Sequence, residues 1–566
     1  MARTLDGPLP PRLLSQKHRK YTLGEDVSST PPAAADARPE PTPGTTRPDG
    51  VGAAPARLDD VVPAPVHVDD DPAGSFTLTA GTTVRATDEP GALAVADQLA
   101  ALLRPATGFP LPVTGLPRTG TPPPDTGASL PVDPTTGPAS TGDIVLTLDP
   151  DATDHGPEGY RLVVTADGVR ISAAASAGLF YGVQTLRQLL PAGIEQPSPG
   201  TGPWVLPGGT VVDRPRFAYR GAMLDVCRHF FTVDEVLRVV DHLARYKLNH
   251  LHLHLTDDQG WRIAVDSWPR LGPVGGATQV GGGPGGHYSR ADYQRIVAYA
   301  AARYVTVVPE IDLPGHTHAA LVAYPELGRT GTAVEAYTGT EVGFSAVDTA
   351  SELTYAFIGD VLREIAELTP GPYLHIGGDE AFTVQPAEYA TFLDRVQPMV
   401  TALGRTVVGW HQVAPAAHEP DRVLQWWGTD PVDPVVADAV RRGARLILSP
   451  GNRTYLDMKY AADTPIGHDW AGLVEVHQAY DWDPATHLAD VPAEAVLGVE
   501  APLWTESVTT LAEVEFMLFP RLPALAEVGW SPRSRQDWAG FRQRLAGHGP
   551  RWTAAGITFH PSPEVP

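Results

Sequence analysis

Eight apolar, strand-like runs alternate with amphipathic, helix-like segments over roughly residues 214–556. The predicted strands are residues 220–226, 250–256, 305–312, 373–376, 406–410, 423–427, 446–449 and 495–504. Eight such units predict an α/β fold, a closed (β/α)8 barrel of the TIM type, with an open doubly wound sheet as the alternative. No glycine-rich phosphate loop follows the first strand, which weakens a nucleotide-binding version of that open sheet.

Two segments of different composition precede the predicted barrel. Residues 1–70 are rich in Pro, Ala, Thr and Asp, with almost no aromatic residues, which predicts a disordered or extended lead. Residues 71–213 contain helix-like and strand-like runs, and the strands at 143–148 and 160–165 are typical of a small antiparallel sheet. We therefore expect a lead, a small α+β domain, and a catalytic barrel over residues 214–566.

Two adjacent carboxylates, Asp379 and Glu380, follow the fourth predicted barrel strand after a pair of glycines. Glycines let the backbone bend sharply and approach a ligand closely. Acidic residues just past the carboxyl end of a strand lie where α/β barrels place their chemistry. Adjacent acids repel, so their pKa values are expected to differ, with one group charged and the other protonated. A solvated Asp-Glu turn at a helix start is the plainer interpretation.

Polar and aromatic residues also follow most of the other predicted strands. Among them are Arg228, Asp257, His316, Trp410, Trp427, Tyr455, Asp457, Trp504 and Glu506. In a closed barrel these strand ends converge on one mouth. Tryptophan faces pack against the C–H faces of a sugar ring, while carboxylates and arginine bind its hydroxyls. The combination indicates cleavage of a glycosidic bond, with a carboxylic acid protonating the leaving oxygen. A lone tryptophan would be read more simply as a core aromatic with a bonded N–H.

Charge and composition exclude several other classes of function. The net charge of −24 and the pI near 5.1 argue against a nucleic-acid partner, because phosphate binding needs a basic face. Cys227 is the single cysteine, so neither an intramolecular disulfide nor a cysteine-based metal site is expected. No apolar run is long enough to span a membrane, and no signal-peptide pattern follows the basic N-terminus, which predicts a cytoplasmic protein. A misassigned start would hide an export signal.

The ordered motifs of the chain resemble those of family 20 glycoside hydrolases, the β-N-acetylhexosaminidases. The matching segments are residues 228–230 (RHF), 252–262 (HLHLTDDQGWR), 309–316 (PEIDLPGH), 375–380 (HIGGDE), 455–457 (YLD) and 503–506 (LWTE). The resemblance covers roughly residues 75–566. It implies an exo-acting, retaining enzyme without a cofactor, in which the acetamido oxygen of the substrate is the nucleophile and a cyclic oxazolinium-type intermediate forms.

The resemblance also implies a role for each matched residue. Glu380 resembles the general acid/base, and Asp379 resembles the group that orients the acetamido nitrogen and stabilises its developing positive charge. Asp257 and His316 resemble a supporting pair that tunes the acid. The matched sugar-binding residues are Arg228 and Glu506 for ring hydroxyls, Tyr455 and Asp457 for the acetamido carbonyl and the C6 hydroxyl, and Trp410, Trp427 and Trp504 as aromatic walls.

One position departs from the family pattern. Phe382 stands where a histidine is often found two residues after the acid. We expect this change to alter the polarity around the acid without abolishing activity.

Two other interpretations compete with a cofactor-free glycosidase. A metal-dependent barrel hydrolase would use His252, His254, His316, His375 and Asp379 as ligands. A sugar-binding protein that has lost catalysis would keep Arg228 and the tryptophans but lack a competent acid, whereas Glu380 is present here. The sequence makes no prediction about oligomeric state, about the natural glycan, or about gluco against galacto preference.

Overall fold

The computed structural model describes residues 57–116, 142–151, 153–417, 419 and 421–566. Residues 1–56, most of the predicted lead, lie outside this described part of the chain. Within the described ranges, no helix has both the length and the hydropathy that crossing a membrane requires.

A seven-stranded mixed sheet forms the N-terminal part of the structure. Its elements in chain order are β1 (His67–Asp70), β2 (Phe76–Thr77), β3 (Val84–Thr87), α1 (Pro90–Thr107), β4 (Val113–Leu116), β5 (Asp143–Leu148), β6 (Tyr160–Thr165), β7 (Gly168–Ala173), α2 (Ser176–Leu189), β8 (Val205–Leu206) and β9 (Gly209–Asp213). The strand order is β1-β9-β6-β7-β5-β3-β4, and β2 pairs separately with β8. Burial alternates along β6, because one face of the sheet lies against α1 and α2.

The sheet differs from the sequence-based expectation in strand direction. Strands β4, β3, β5 and β7 pair in parallel, and only β6, β9 and β1 add antiparallel pairs. The prediction of an antiparallel sheet was therefore wrong for half of it. Parallel pairing of β3 and β5 follows from the long connection between them, which passes through α1 and β4.

Residues 57–70 are ordered, although their composition assigned them to the lead. Strand β1 pairs with β9, and Leu58 is fully buried. The segment also crosses to the C-terminal helices: the N–H of Ala64 donates to Oε2 of Glu527 at 2.9 Å, and Nη1 of Arg544 donates to the carbonyl of Val61 at 2.9 Å. The division of the chain at residues 70 and 213 stays a prediction.

A closed barrel of eight parallel strands follows. Its elements in chain order are β10 (Tyr219–Asp225), α3 (Val233–Arg245), β11 (His250–His254), β12 (Thr256–Asp257), β13 (Gly260–Trp261), α4 (Arg290–Ala301), β14 (Thr306–Glu310), α5 (His318–Ala323), α6 (Glu352–Leu368), β15 (Tyr373–His375), α7 (Pro386–Ala402), β16 (Thr406–Trp410), β17 (Val423–Trp426), α8 (Pro434–Arg441), β18 (Arg445–Leu448), α9 (Val476–Tyr480), β19 (Val496–Leu503), α10 (Leu511–Leu518), α11 (Arg521–Trp530), α12 (Trp538–Ala546) and α13 (Gly549–Ala554). The strand order is β10-β11-β14-β15-β16-β17-β18-β19, and β10 closes the barrel on β19. The predicted (β/α)8 architecture is confirmed.

Capping residues fix where the barrel helices begin, and so how long the preceding mouth loops are. Thr232 caps α3: its hydroxyl accepts from the N–H of Glu235, whose carboxylate accepts from the N–H of Thr232 at 2.7 Å. Ser289 and Asp292 form the same reciprocal pair at the start of α4. Each pair satisfies N–H groups that a helix start leaves unbonded. The loop that carries Arg228 is thus held between the end of β10 and the capped start of α3.

Candidate active site

Asp379 and Glu380 lie directly after β15, where the backbone turns sharply. Gly377 and Gly378 have φ angles of 64° and 99°, in the left-handed region that glycine adopts without steric cost. A Cβ on Gly377 would overlap Oδ1 of Asp312, the same atom that accepts from the N–H of Gly378 at 3.1 Å. The turn and the close approach therefore both require glycine. Together they bring two acids from one turn into the barrel mouth.

The imidazole of His316 joins this acid pair to a deeper carboxylate. Its Nε2 lies 3.8 Å from Oδ2 of Asp379 and 3.7 Å from Oε2 of Glu380. Its Nδ1 lies 3.1 Å from Oδ1 of Asp257. All four side chains are buried, so the charges interact through a medium that screens them less than water does. The structure thus brings together Asp257 and His316, which the sequence analysis had paired.

Burial and neighbouring charges set the protonation of this cluster. Burial by itself lowers the pKa of His316, but Asp257, Asp312 and Asp379 raise that pKa well above its usual range. Burial raises the pKa of Asp379 to about 6, and the charge of Glu380 adds to the rise while His316 opposes it. Near neutral pH, a cationic imidazole therefore faces a mostly ionised Asp379.

Arg228 is the buried cation on the other side of Asp257. Its Nη2 lies 2.9 Å from Oδ2 of Asp257, and its Nη1 lies 3.2 Å from Oδ2 of Asp225. Its Nε donates to Oε1 of Gln259 at 3.2 Å. These three contacts hold the planar guanidinium in one orientation. Nη1 of Arg228 also lies 4.0 Å from Oε1 of Glu506, which is too far for a hydrogen bond. The Nη1 edge of the guanidinium therefore faces Glu506.

The three tryptophans predicted as site residues have different environments. The guanidinium carbon of Arg228 lies 4.9 Å from the ring centre of Trp504, and the Trp504 ring lies 5.8 Å from that of Trp410. Trp410 is fully buried, and its indole N–H donates to Oε1 of Glu310 at 2.8 Å. Trp427 is 9% exposed. The bonded N–H of Trp410 matches a core aromatic, while the contact with Trp504 places its ring behind the mouth.

Tyr455 and Asp457 lie after β18, and both side chains are buried. Burial raises the pKa of the Tyr455 hydroxyl well above its usual range, and the charges of Asp457, Asp379 and Glu380 also act on it. Tyr455 is therefore an un-ionised hydroxyl beside the acid pair. An un-ionised phenol can donate a hydrogen bond to a carbonyl oxygen.

Below the mouth, Glu310 pairs with three histidines of the barrel interior. Its Oε2 contacts Nδ1 of His254 and lies 3.1 Å from Nε2 of His252, and its Oε1 lies 3.0 Å from Nδ1 of His375. All four residues are inaccessible to solvent. His254 also contacts Oδ2 of Asp257 through Nε2, at 2.8 Å. A continuous chain of carboxylates and imidazoles thus runs from the barrel interior to the acid pair.

The same histidines bear on the metal-dependent alternative. The potential ligand atoms of His252, Glu310 and His375 lie within 4.8 Å of one another, as do those of Asp312, His316 and Asp379. In the first group both imidazoles lie within 3.1 Å of a Glu310 oxygen, and Nδ1 of His375 also accepts from the N–H of Gly377 at 3.0 Å. In the second group Nδ1 of His316 lies 3.1 Å from Asp257 and its Nε2 lies 3.8 Å from Asp379, so activity after chelation is the measurement that separates the two interpretations.

Two family models match most of the chain. The model for the glycosyl hydrolase family 20 catalytic domain matches residues 217–388 and 382–533, and the model for domain 2 of the same family matches residues 59–214. The chain belongs to glycosyl hydrolase family 20. It is a glycoside hydrolase, and the resemblance drawn from its motifs is confirmed.

Three relatives of this family 20 hydrolase are similar to it over nearly their whole length. A β-N-acetylhexosaminidase of Cellulomonas fimi is 43% identical over 507 residues, which cover 89% of this chain and 96% of that protein. The solved structure of the family 20 β-N-acetylhexosaminidase from Streptomyces coelicolor is 53% identical, with a TM-score of 0.85, and covers 91% of this chain and all of that one. A mutant Streptomyces plicatus β-hexosaminidase in complex with the product GlcNAc is 52% identical, with a TM-score of 0.85 and coverage of 91% and 99%.

Two residues of this family 20 site were missed by the sequence analysis. Trp470 stands edge-on to Trp427 and to Tyr455, with ring centres 5.8 Å and 5.5 Å apart. His468 places Nε2 3.4 Å from Oε2 of Glu506. Both lie in the long segment between β18 and β19, without a strand to fix their position. Trp470 follows the predicted site residues Tyr455 and Asp457 in the same segment, and this proximity in sequence was the available signal.

Proposed function

We propose that this family 20 enzyme is an exo-acting, retaining β-N-acetylhexosaminidase that removes terminal non-reducing N-acetylglucosamine or N-acetylgalactosamine. The names of its relatives, and the GlcNAc held by one of them, support this class of sugar. This reaction type is supported mainly by one observation: Asp379 and Glu380 are adjacent residues on one turn. A scheme with two protein carboxylates on opposite sides of the sugar needs them on separate elements. The adjacent pair instead fits attack by the acetamido oxygen of the substrate.

Glu380 is assigned the proton transfers. In the first step its carboxyl protonates the glycosidic oxygen while the acetamido oxygen attacks the anomeric carbon, which gives a cyclic oxazolinium-type intermediate. In the second step the Glu380 carboxylate removes a proton from water, which attacks the anomeric carbon and reopens the ring. Two inversions at that carbon give net retention.

Asp379 is assigned the acetamido nitrogen, which becomes positively charged as the ring closes. A carboxylate with a pKa of about 6 is mostly ionised near neutral pH, as this role requires. Its burial makes the attraction stronger than the same pair would feel in water. His316, 3.8 Å away, favours the ionised form of Asp379.

The remaining residues are assigned to the sugar ring. Arg228 is held by Asp225, Asp257 and Gln259 with one edge towards Glu506, which suits recognition of neighbouring hydroxyls by a cation and an anion. Tyr455 is assigned the acetamido carbonyl. Asp457 is assigned the C6 hydroxyl, and Trp410, Trp427 and Trp504 are assigned the walls around the acetamido methyl and the ring.

A kinetic comparison tests the proposed reaction. Aryl N-acetyl-β-glucosaminide and N-acetyl-β-galactosaminide are measured beside the aryl β-glucoside, which lacks the acetamido group. We expect the glucoside to be nearly inert, and a thiazoline mimic of the cyclic intermediate to inhibit more tightly than N-acetylglucosamine. Asp379→Asn is expected to lower kcat by about 10²-fold on electrostatic precedent, whereas Asp97→Asn on the exposed surface serves as the matched control. Efficient cleavage of the glucoside would overturn the mechanism.

The same assay separates the two competing functions. Turnover of the aryl N-acetylglucosaminide excludes a sugar-binding protein without catalysis. Activity that survives exhaustive chelation argues against a metal-dependent hydrolase. The absence of a nucleic-acid partner and a cytoplasmic location remain predictions from the sequence.

A further inference from the structure

Two exposed phenylalanines lie beside the acid pair. Phe382 is 40% exposed and Phe344 is 39% exposed, whereas most large apolar side chains of the described residues are buried. Phe382 follows Glu380 by two positions, and its N–H donates to the Glu380 carbonyl at 2.7 Å. Exposed aromatic surface next to a reactive group is typical of a binding site.

The two phenylalanines belong to neighbouring segments. A Cβ on Gly343 would overlap the ring of Phe382 and lie 3.0 Å from the carbonyl oxygen of Glu380. Gly343 therefore packs directly on the segment that carries the acid, and Phe344 is the next residue along the chain. The Phe344 ring is supported by Tyr337 at 4.6 Å and by His318 at 5.5 Å between ring centres.

The loop that carries Phe344, residues 337–345, is fixed to the site at both ends. At one end, the carbonyl of Gly339 accepts from Nε2 of Gln259 at 2.9 Å, and Gln259 in turn accepts from Arg228. At the other end, Oγ of Ser345 donates to Oδ1 of Asp258, the residue after Asp257. The loop that carries Phe344 is thus held in place by hydrogen bonds to residues that contact the proposed catalytic groups.

We propose that Phe344 and Phe382 form the subsite for the leaving group, and that this subsite binds a second sugar ring through its C–H face. The inference rests on the function proposed above. An exo-acting enzyme encloses the terminal sugar, so the remainder of the substrate must extend outward past the acid that protonates the glycosidic oxygen. Phe382, two residues after that acid, and Phe344, next to the Gly343 that packs on the Glu380 carbonyl, are the exposed aromatic side chains available there among the described residues. Both rings present apolar faces, which suits a pyranose and disfavours a charged leaving group.

The side chain at position 382 fits this role. Phe382 adds exposed apolar area beside the acid without a hydrogen-bonding group. The neighbouring Gly343 leaves room for that ring, because any side chain at position 343 would collide with it. We therefore expect Phe382 to change the choice of leaving group more than the rate of the chemical step.

The experiment compares two substrates whose leaving groups are both alcohols but differ in size. Chitobiose releases a sugar ring, and methyl N-acetyl-β-glucosaminide releases methanol, which cannot reach the two aromatic rings. We expect Phe344→Ala and Phe382→Ala each to lower the chitobiose-to-methyl-glycoside ratio of kcat/KM by about three- to tenfold, as the loss of one aromatic contact implies. Phe382→Trp, which keeps an aromatic face, should preserve the ratio. Leu353→Ala removes a side chain that is also 40% exposed, but on α6, and is the matched control.

Each outcome distinguishes the subsite from the activity itself. If both alanine variants keep the wild-type ratio, whether or not they lose activity equally on the two substrates, the leaving-group subsite is overturned while the proposed hydrolysis stands. A wild-type enzyme that cleaves neither substrate would overturn the proposed activity and the subsite with it.

Discussion

Nε2 of His316 lies 3.7 Å from Oε2 of Glu380, and Asp257 on the opposite side of the imidazole is the neighbouring carboxylate that raises the pKa of His316 most. The ionisation of Asp379 is therefore influenced by residues that follow two other barrel strands, β11 and β14. Asp257 also contacts Arg228, so a change in this network reaches both the acid pair and the arginine assigned to the sugar hydroxyls.

Replacing His316 with asparagine should slow the enzyme and move its pH profile. Asparagine tolerates the φ of 54° at this position and can still bond to Asp257, but it carries no charge. Since His316 favours ionised Asp379, its loss raises the pKa of Asp379 above about 6. We expect the acid limb of kcat/KM, an apparent value of the coupled groups, to move to higher pH. His67→Asn, at an exposed position, is the control, and a limb that stays in place contradicts this coupling.

Glu380→Gln should discriminate between good and poor leaving groups. The amide cannot donate the proton that an alkoxide needs, so chitobiose turnover should fall by about 10²- to 10⁴-fold. A dinitrophenyl glycoside, whose leaving group needs no proton, should lose much less in the bond-breaking step. The two substrates are compared by pre-steady-state kinetics. Equal losses on both would remove Glu380 from the role of general acid.

The stability of the barrel interior should fall as the solution becomes alkaline. Burial by itself lowers the pKa of His252, but Glu500 and Glu310 raise it to about 9. The folded state therefore keeps a proton that the unfolded chain releases near pH 6.5. The free energy of unfolding contributed by this group is complete below pH 6.5 and declines as pH rises through 9, with a slope approaching about 1.4 kcal/mol per pH unit. Urea unfolding from pH 6.5 to 9 should show a shallower slope in His252→Asn than in the wild type.

Gly377→Ala should be far more damaging than an alanine at another left-handed glycine. Gly377 and Gly404 have φ angles of 64° and 71°, but a Cβ overlaps Asp312 at Gly377 and meets nothing within 4 Å at Gly404. Both variants carry the backbone strain, about 1–2 kcal/mol, and only Gly377→Ala displaces Asp312 and the acid turn. We expect strongly reduced kcat for Gly377→Ala and near-normal kcat for Gly404→Ala. Similar activities in the two variants would contradict a tight turn.

The barrel could be predicted because its strands are buried on both faces and are therefore continuous apolar runs. The predicted strand at residues 406–410 coincides with β16. The acid pair could be predicted because it follows a strand end after two glycines. The ordering of residues 57–70 could not be predicted, since proline-rich composition is typical of unfolded segments and the contacts that order this one come from β9 and from helices near the other end of the chain.

The interior carboxylate–histidine chain was also beyond prediction. His252 and His254 were considered as possible metal ligands, but their contacts with Glu310 depend on the register between β11 and β14, which places His254 beside Glu310. The roles assigned to individual site residues, including the aromatic wall assigned to Trp410, stay predictions until variants are measured.

The bond between Ala64 and Glu527 joins residues that are 463 positions apart. During synthesis, the segment around Ala64 leaves the ribosome long before the helix that carries its partner exists. Its final contacts can form only after nearly the entire polypeptide has emerged, since the barrel itself closes through its last strand, β19, on its first, β10. A chain that ends before α11 would therefore leave the segment around Ala64 without Glu527, and one that ends before β19 would also leave the barrel open between β10 and β18.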